Sequence, residues 1–357
     1  MTLNIKRIIS FKHLTHEPLG NTPIMALNNC GINAISGVSS GNSTLSVGEM
    51  TVLSNTFGGL MAKTPAGRTP SNITLPLLAG AETLKAHALQ VGIRITQTAV
   101  LESQRGQMVL AVYNQTAITS QPIACTLTED SSAYYEIVLS YKAPNLLQLQ
   151  AFVNKQLTMS ATSIIKTIQP LTLQISSGSF SVSAPTGYTV MFDDMYVAEL
   201  DYNDDGTVTP QLLGDLSIEP FTVAGYRGDE HTNTKDVDIV TALNNFNPFE
   251  DMGVLAVKAG GAPASITFNT PNITGKTILG AALSVVYKDV IAPNNRIHYQ
   301  ITQGTTRHPA KTLSERHADV AEYTQFTQFV TTPAVGEVWN EKNLTFTLDV
   351  SNLAEEE

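Results

Sequence analysis

Cysteine, tryptophan and charge are all scarce in this chain, and each scarcity excludes something. Two cysteines, Cys30 and Cys125, stand far apart among 357 residues. They match neither a CxxC redox pair nor a zinc-ligand spacing, so both read as free buried thiols of a protein made in a reducing compartment. Lys, Arg, Asp and Glu together supply only 15% of the residues, and the formal charge is -10. Such a field repels phosphate backbones and anionic headgroups, which excludes nucleic acid as a partner. No apolar run reaches the roughly 18 residues of a spanning helix, so no membrane insertion is expected. Residues 1–20 (MTLNIKRIISFKHLTHEPLG) hold basic side chains but no apolar core or small-residue cleavage site, and they read as no secretion signal.

Long amphipathic helices are missing too. The two candidates are short: Gly80–Gln90, and Lys235–Phe246, where Val237, Val240, Leu243 and Phe246 recur every third residue. What the chain does have is strands. β-Branched and aromatic residues recur in short runs broken by Gly, Asn, Pro and Ser. In the first half these are Val91–Thr98, Gly106–Tyr113, Tyr134–Tyr141, Leu147–Val153 and Tyr188–Val197. In the second half they are Gly253–Lys258, Ser265–Phe268, Ala281–Lys288, Arg296–Ile301 and Leu344–Val350. The fold class is all-β with few short helices. Length alone favours two domains, and the seam falls where acid, Gly and Pro replace apolar alternation. The expected divisions are an N-terminal arm at 1–24 that packs on a neighbour, a first sandwich at 25–202, a linker at 203–211, a second β-rich domain at 212–351 and an acidic tail at 352–357.

The acid-rich segment around that seam suggests two chemistries, a calcium loop and a carboxylate pair. Asp201, Asn203, Asp205 and Gly206 spell the first half of a calcium loop, but the twelfth position is Leu212, which has no ligand atom. The segment therefore reads as turn chemistry. Asp193 and Asp194 could be a glycosidase carboxylate pair, yet neighbouring strand residues point to opposite faces and could not flank one glycosidic bond. Gly37, Ser39 and Gly41 match G-x-S-x-G, but Asn42–Met50 does not read as the helix that a nucleophile elbow requires. The seven histidines (13, 16, 87, 231, 298, 308 and 317) include no HExxH. No phosphate-cradling glycine loop stands between a strand and a helix. Trp339 reads as a packing anchor rather than a sugar platform. No catalytic, metal or cofactor-binding residue is assigned, and no cofactor is expected.

Phe57–Ala62 (FGGLMA), Tyr135–Leu139 (YEIVL), Phe152–Asn154 (FVN) and Phe192–Val197 (FDDMYV) occur in that order, followed by Leu213–Leu216 (LGDL) and the Phe326–Asn340 stretch. The set resembles a group of tailed-phage virion proteins. Their GG turn, YxELxV-like strand, VNG hairpin and IDDVYV-like closing strand fall at these places, with Lys155 standing where the hairpin usually has Gly. The resemblance implies a concanavalin A/laminin-G-like jelly roll followed by a second β-rich domain that LGDL would open. It also implies a non-enzymatic structural protein of the virion, made in the bacterial host's cytoplasm, in the tail, baseplate, collar or fibre apparatus. Its partners would be other virion proteins and copies of itself. Two alternatives stand beside it: a host-adhesion protein that binds surface glycan through tyrosines such as Tyr134, Tyr188 and Tyr226, and a capsid decoration or head-fibre protein.

Overall fold

A computed structural model describes residues 3–10, 12, 37–39, 44–52, 54–67, 72–76, 81–98, 108–114, 117–123, 131–143, 146–164, 172–176 and 188–228 in the first part of the chain. Further on it describes 232–233, 237–244, 255–258, 260–287, 295–313, 324–330, 333, 339–340 and 344–354. The described residues up to Ile218 belong to one compact unit, apart from those from Glu219 onward, which belong to a second.

Unit 1 contains β1 (Asn4–Ile9), β2 (Gly37–Ser39), β3 (Thr44–Val52), β4 (Asn55–Thr64), β5 (Asn72–Pro76), the short helix α1 (Ala81–Ala86) and β6 (His87–Thr98). It continues with β7 (Met108–Asn114), β8 (Ala117–Ile123), β9 (Ser131–Lys142), β10 (Leu146–Val153), β11 (Gln156–Ile164), β12 (Thr172–Ser176) and β13 (Tyr188–Asp201). Eight strands form one antiparallel sheet in the order β11-β10-β9-β6-β13-β4-β3, with β1 also on β13. A second sheet runs β2-β5-β12-β7-β8. The unit is an all-β jelly-roll sandwich, as its alternating strands require.

Alternation assigns the faces of the large sheet. Leu89, Val91, Ile93 and Ile95 of β6 lie level with Tyr135, Ile137 and Leu139 of β9 and with Phe192 and Val197 of β13. All are buried, and with Leu60 of β4 they form the apolar inner face. Each such side chain stabilises the fold by about 1.5–3 kcal/mol. At the β10–β11 turn, Asn154 and Lys155 both have positive φ, 47° and 67°, the conformation of a type I′ hairpin.

Several expectations are corrected here. Residues 4–9, assigned to an arm packing on a neighbour, form a strand of the unit's own large sheet. The candidate helix Gly80–Gln90 ends at Ala86, because His87–Gln90 pair with Ala198–Asp201 of β13. The expected GG turn is strand interior: a Cβ on Gly59 would lie 2.8 Å from the Phe192 carbonyl oxygen, so the strand needs glycine for close approach and not for a bend. Residues 212–218, assigned to the second domain, belong to unit 1.

Unit 2 contains β14 (Thr222–Arg227), β15 (Thr232–Asn233), helix α2 (Ile239–Asn244), β16 (Leu255–Ala256), β17 (Ala264–Asn269), β18 (Ala281–Tyr287) and β19 (Asn295–Gln303). It ends with β20 (Thr306–Arg307), β21 (Lys311–Leu313), β22 (Thr324–Val330) and β23 (Phe346–Ala354). Its main sheet runs β14-β17-β23-β19-β20, with β21 on β19, and β15–β16 and β18–β22 are two-stranded ribbons. Ile266, Tyr299, Ile301, Val330, Leu348 and Val350 are its core. The expected helix at 235–246 is described over Ile239–Asn244, where Asp238 caps it by accepting from the Thr241 N–H at 3.0 Å.

Candidate functional site

The outer face of the large sheet carries most of the polar chemistry described in unit 1. Cross-strand register places Gln90, Gly92 and Arg94 of β6 beside Tyr134 and Glu136 of β9 and beside Tyr196 of β13. A bulge adds the aspartates. Asp193 pairs with Arg94 and Tyr196 with Gly92, so β13 places two residues against Ile93 alone. Asp194 takes a positive φ of 49°, which aspartate tolerates better than most residues. Its carboxylate thereby reaches Arg94 Nε at 2.9 Å. The expectation that Asp193 and Asp194 point to opposite faces is corrected by this bulge, since both carboxylates approach Lys12 Nζ, at 3.7 and 2.9 Å.

The cluster is bonded to the segment that follows β13. Asp194 accepts from Lys12, Arg94 and the Ile218 N–H at 2.8 Å. Glu136 accepts from the Tyr196 hydroxyl at 2.6 Å and from the N–H groups of Leu213 and Gly214 at 2.8 and 3.0 Å. Gln90 exchanges hydrogen bonds with the backbone of Gln211, and Arg94 donates to the Leu216 carbonyl oxygen and pairs with Asp215 at 2.6 Å. The guanidinium lies 5.5 Å from the Phe57 ring centroid and 5.6 Å from that of Tyr134. Residues 211–218 are thus strapped onto the sheet by their own backbone, with Leu213 and Leu216 packed on Tyr134, Tyr196 and Ala198. Gly92 makes room, because a Cβ there would collide with the Tyr196 ring.

Burial sets the protonation of this face. It pushes the Tyr134 phenol well up, helped by Tyr196 and the nearby carboxylates, and it pushes Tyr196 far up beside Glu136. For Arg94, burial works against the charge, but Asp194 and Asp215 outweigh it and hold the guanidinium above its ordinary value. Asp194 and Glu136 accept from the strap and from the sheet alike. The arrangement anchors a segment.

The other sequence candidates separate in space. Asp205 accepts from both the N–H and the hydroxyl of Thr207, and the Asn203 amide donates to Thr207 and Thr209, so this segment is a self-bonded turn as expected. Its hydrogen bonds with Thr207 hold the Asp205 carboxyl below its ordinary value. His87 Nδ1 lies 3.1 Å from Asp201, His308 Nε2 lies 3.1 Å from Gln303, and His298 Nδ1 lies 3.4 Å from Thr312. Among the described residues no three His, Cys, Asp or Glu side chains gather as a metal site, and no helix is long and apolar enough to cross a membrane. Trp339 is half-buried with its ring 6.5 Å from Phe346, as befits a packing anchor. Tyr134 is buried and unable to face a ligand, which corrects its expected adhesive role, while the Tyr226 hydroxyl donates to the Gly228 carbonyl oxygen. Gly37–Ser39 lie in β2; Ser40 and Gly41 of that motif, Cys30, Cys125, His13, His16, His231, His317 and the side chain of Tyr188 lie outside the described residues.

Sequence reasoning passed over an open polar surface, the outer face of the β10–β11 hairpin. Gln148 stands opposite Thr162, and Gln150 opposite Ser160. Ser160 and Thr162 are exposed and both glutamines half-exposed, with Gln148 Nε2 3.5 Å from Ser160 Oγ. Between Leu146 and Ile164 the only charged residue is Lys155, at the turn. The alternation of LQLQ in β10 was the signal that could have found this face.

No family model and no curated protein sequence matches the chain. Solved structures do match its fold. An alginate lyase is 9% identical, with 55% of this chain and 97% of that one covered and a TM-score of 0.35. An endo-β-1,4-glucuronan lyase from the fungus Trichoderma reesei is 10% identical, with 47% and 92% covered and a TM-score of 0.33. A carbohydrate esterase from a Shiga toxin-encoding bacteriophage is 9% identical, with 55% and 100% covered and a TM-score of 0.32. The expectation of a non-enzymatic virion structural protein is corrected to this extent: the matched structures are described as carbohydrate-processing enzymes, and none of these three is described as a virion structural protein. The expectation that the chain is not an enzyme likewise has no support in these matches. At such identities the likeness is one of sheet arrangement, and no residue role passes to this chain.

Proposed function

We propose that the protein binds carbohydrate, and that the outer face of β10–β11 is the contact surface. The observation that carries this reading is the uncharged ledge of Gln148, Gln150, Ser160 and Thr162. Amides and hydroxyls donate and accept at once, as sugar hydroxyls do, and no ion has to be desolvated when a neutral glycan arrives. Leu157, level with Phe152 on the same face and 55% exposed, supplies an apolar contact for a sugar C–H face. Without an aromatic platform on the ledge, single-site affinity is low, and useful strength comes from several copies engaging one polysaccharide.

The test is a glycan array followed by calorimetry, with Gln148→Ala and Gln150→Ala as variants. Binding to neutral polysaccharide, weakened at least about tenfold in the double variant, is expected. No binding to any glycan, or binding indifferent to both substitutions, defeats the reading. Incubating the same polysaccharides and assaying for new chain ends reports turnover in the same experiment.

A further inference from the structure

We infer that β11 is the pairing edge for a second copy of this chain, joined strand to strand about a two-fold axis. β11 ends the large sheet: it pairs with β10, and among the described residues no strand pairs with its far side. The edge of the smaller sheet, β8, approaches it without pairing. A sheet edge presents a row of unpaired backbone groups, and proteins ordinarily blunt it with Pro, Lys or inward charges. From Gln156 to Ile164 (QLTMSATSI) β11 has none of these, and its one irregularity is the bulge at Thr158, which leaves Met159–Ile164 in regular pairing with β10. The opposite edge, β3, carries the exposed Glu49.

The occupant follows from charge and register. Two copies of a chain with a formal charge of -10 repel each other over most of their surface, so self-association favours a neutral strip. β11 is such a strip. Its sequence also complements itself in antiparallel register. With the axis at Ser160, on the regular stretch beyond the bulge at Thr158, Ser160 meets its own copy and Met159 meets Ala161, so no charge faces a charge across the axis. A two-fold interface requires this self-complementarity. Strand pairing would join the two large sheets into one continuous sheet and set two β10–β11 hairpins side by side. The inference does not rest on glycan binding.

Sedimentation velocity of the full chain over a concentration series, without carbohydrate, is the test. The wild-type protein is expected to form a concentration-dependent dimer. Ser160→Lys places like charges opposite each other at the axis and is expected to weaken the dimer at least about tenfold. Ser160 is exposed, so the substitution leaves thermal unfolding of the monomer unchanged. As a second measurement, Ser160→Cys is expected to yield an oxidised cross-linked dimer that the wild-type chain does not form. A chain that stays monomeric throughout, or a dimer that Ser160→Lys leaves intact, overturns the inference.

Discussion

Unit 1 holds the outer face of its large sheet with ions and hydrogen bonds, whereas the main sheet of unit 2 is held by rings and aliphatic side chains. Under residues 211–218 lie the buried Arg94, Glu136, Asp193 and Asp194. In unit 2 the buried polar side chains among the described residues are Gln303 and Asn352, neither of them an ion. There Tyr299, Ile301, Leu348 and Val350 pack with the half-buried Phe346, whose ring meets Phe221 edge-on at 5.5 Å. The difference teaches where each unit is brittle. An apolar core loses stability in proportion to the volume removed. A buried ionic network loses most when one member goes and leaves its partners charged and unpaired.

The largest expected effect is therefore at the bulge. Asp194→Ala strips a carboxylate from Lys12, Arg94 and the Ile218 N–H together, and is expected to cost about 3–5 kcal/mol in denaturant unfolding. Asp194→Asn keeps a side chain that tolerates the positive φ and isolates the loss of charge. For comparison, Ile301→Ala in unit 2 is expected to cost about 2–5 kcal/mol. An Asp194→Ala protein as stable as the wild type would erase the contrast between the units.

Alkaline pH comes next. Burial favours the neutral phenols of Tyr134 and Tyr196, so their folded pKa values lie above the unfolded value of about 10. Their contribution is complete below about pH 10 and is lost as the pH climbs further, because the unfolded chain ionises first. In unit 2 the Tyr299 phenol is pushed up to about 12 by burial, so its loss runs between about pH 10 and about 12. Unfolding free energy measured across this range should fall, and Tyr196→Phe should flatten the fall. An unchanged slope in that variant would remove Tyr196 from the account.

The smallest effect sharpens the contrast from the other side. Lys276 pairs with Glu219 at 2.7 Å, but its side chain is 47% exposed, and Lys276→Ala is expected to cost under about 1 kcal/mol. A larger loss in thermal unfolding would mean that surface ions matter in unit 2 as buried ones do in unit 1.

The strands were legible because alternation and β-branched composition are local. LQLQAFV reads as β10 and YYEIVLSY as β9 without reference to any other part of the chain. The turn at Asn203–Thr207 was legible for the same reason, since its partners lie within six residues. The helix candidate Gly80–Gln90 misled because the fate of His87–Gln90 depends on Ala198–Asp201, more than a hundred residues on. Asp193 and Asp194 misled because strict alternation has no place for an extra residue, and the bulge exists only where β13 meets β6. The polar ledge was present in the sequence as alternating glutamines, but which face would stay open depended on how far the strap reaches.

Composition and periodicity by themselves determined that this chain is built of strands, with apolar material enough for its interiors and a net negative charge. Which residues of those strands meet was decided by tertiary structure alone. Leu213 and Gly214 find Glu136 across 77 and 78 residues of chain, and Lys12 finds Asp194 across 182. Pairings at such separations are set by sheet register and by the need to satisfy every buried charge, and neither leaves a mark on any local stretch of sequence.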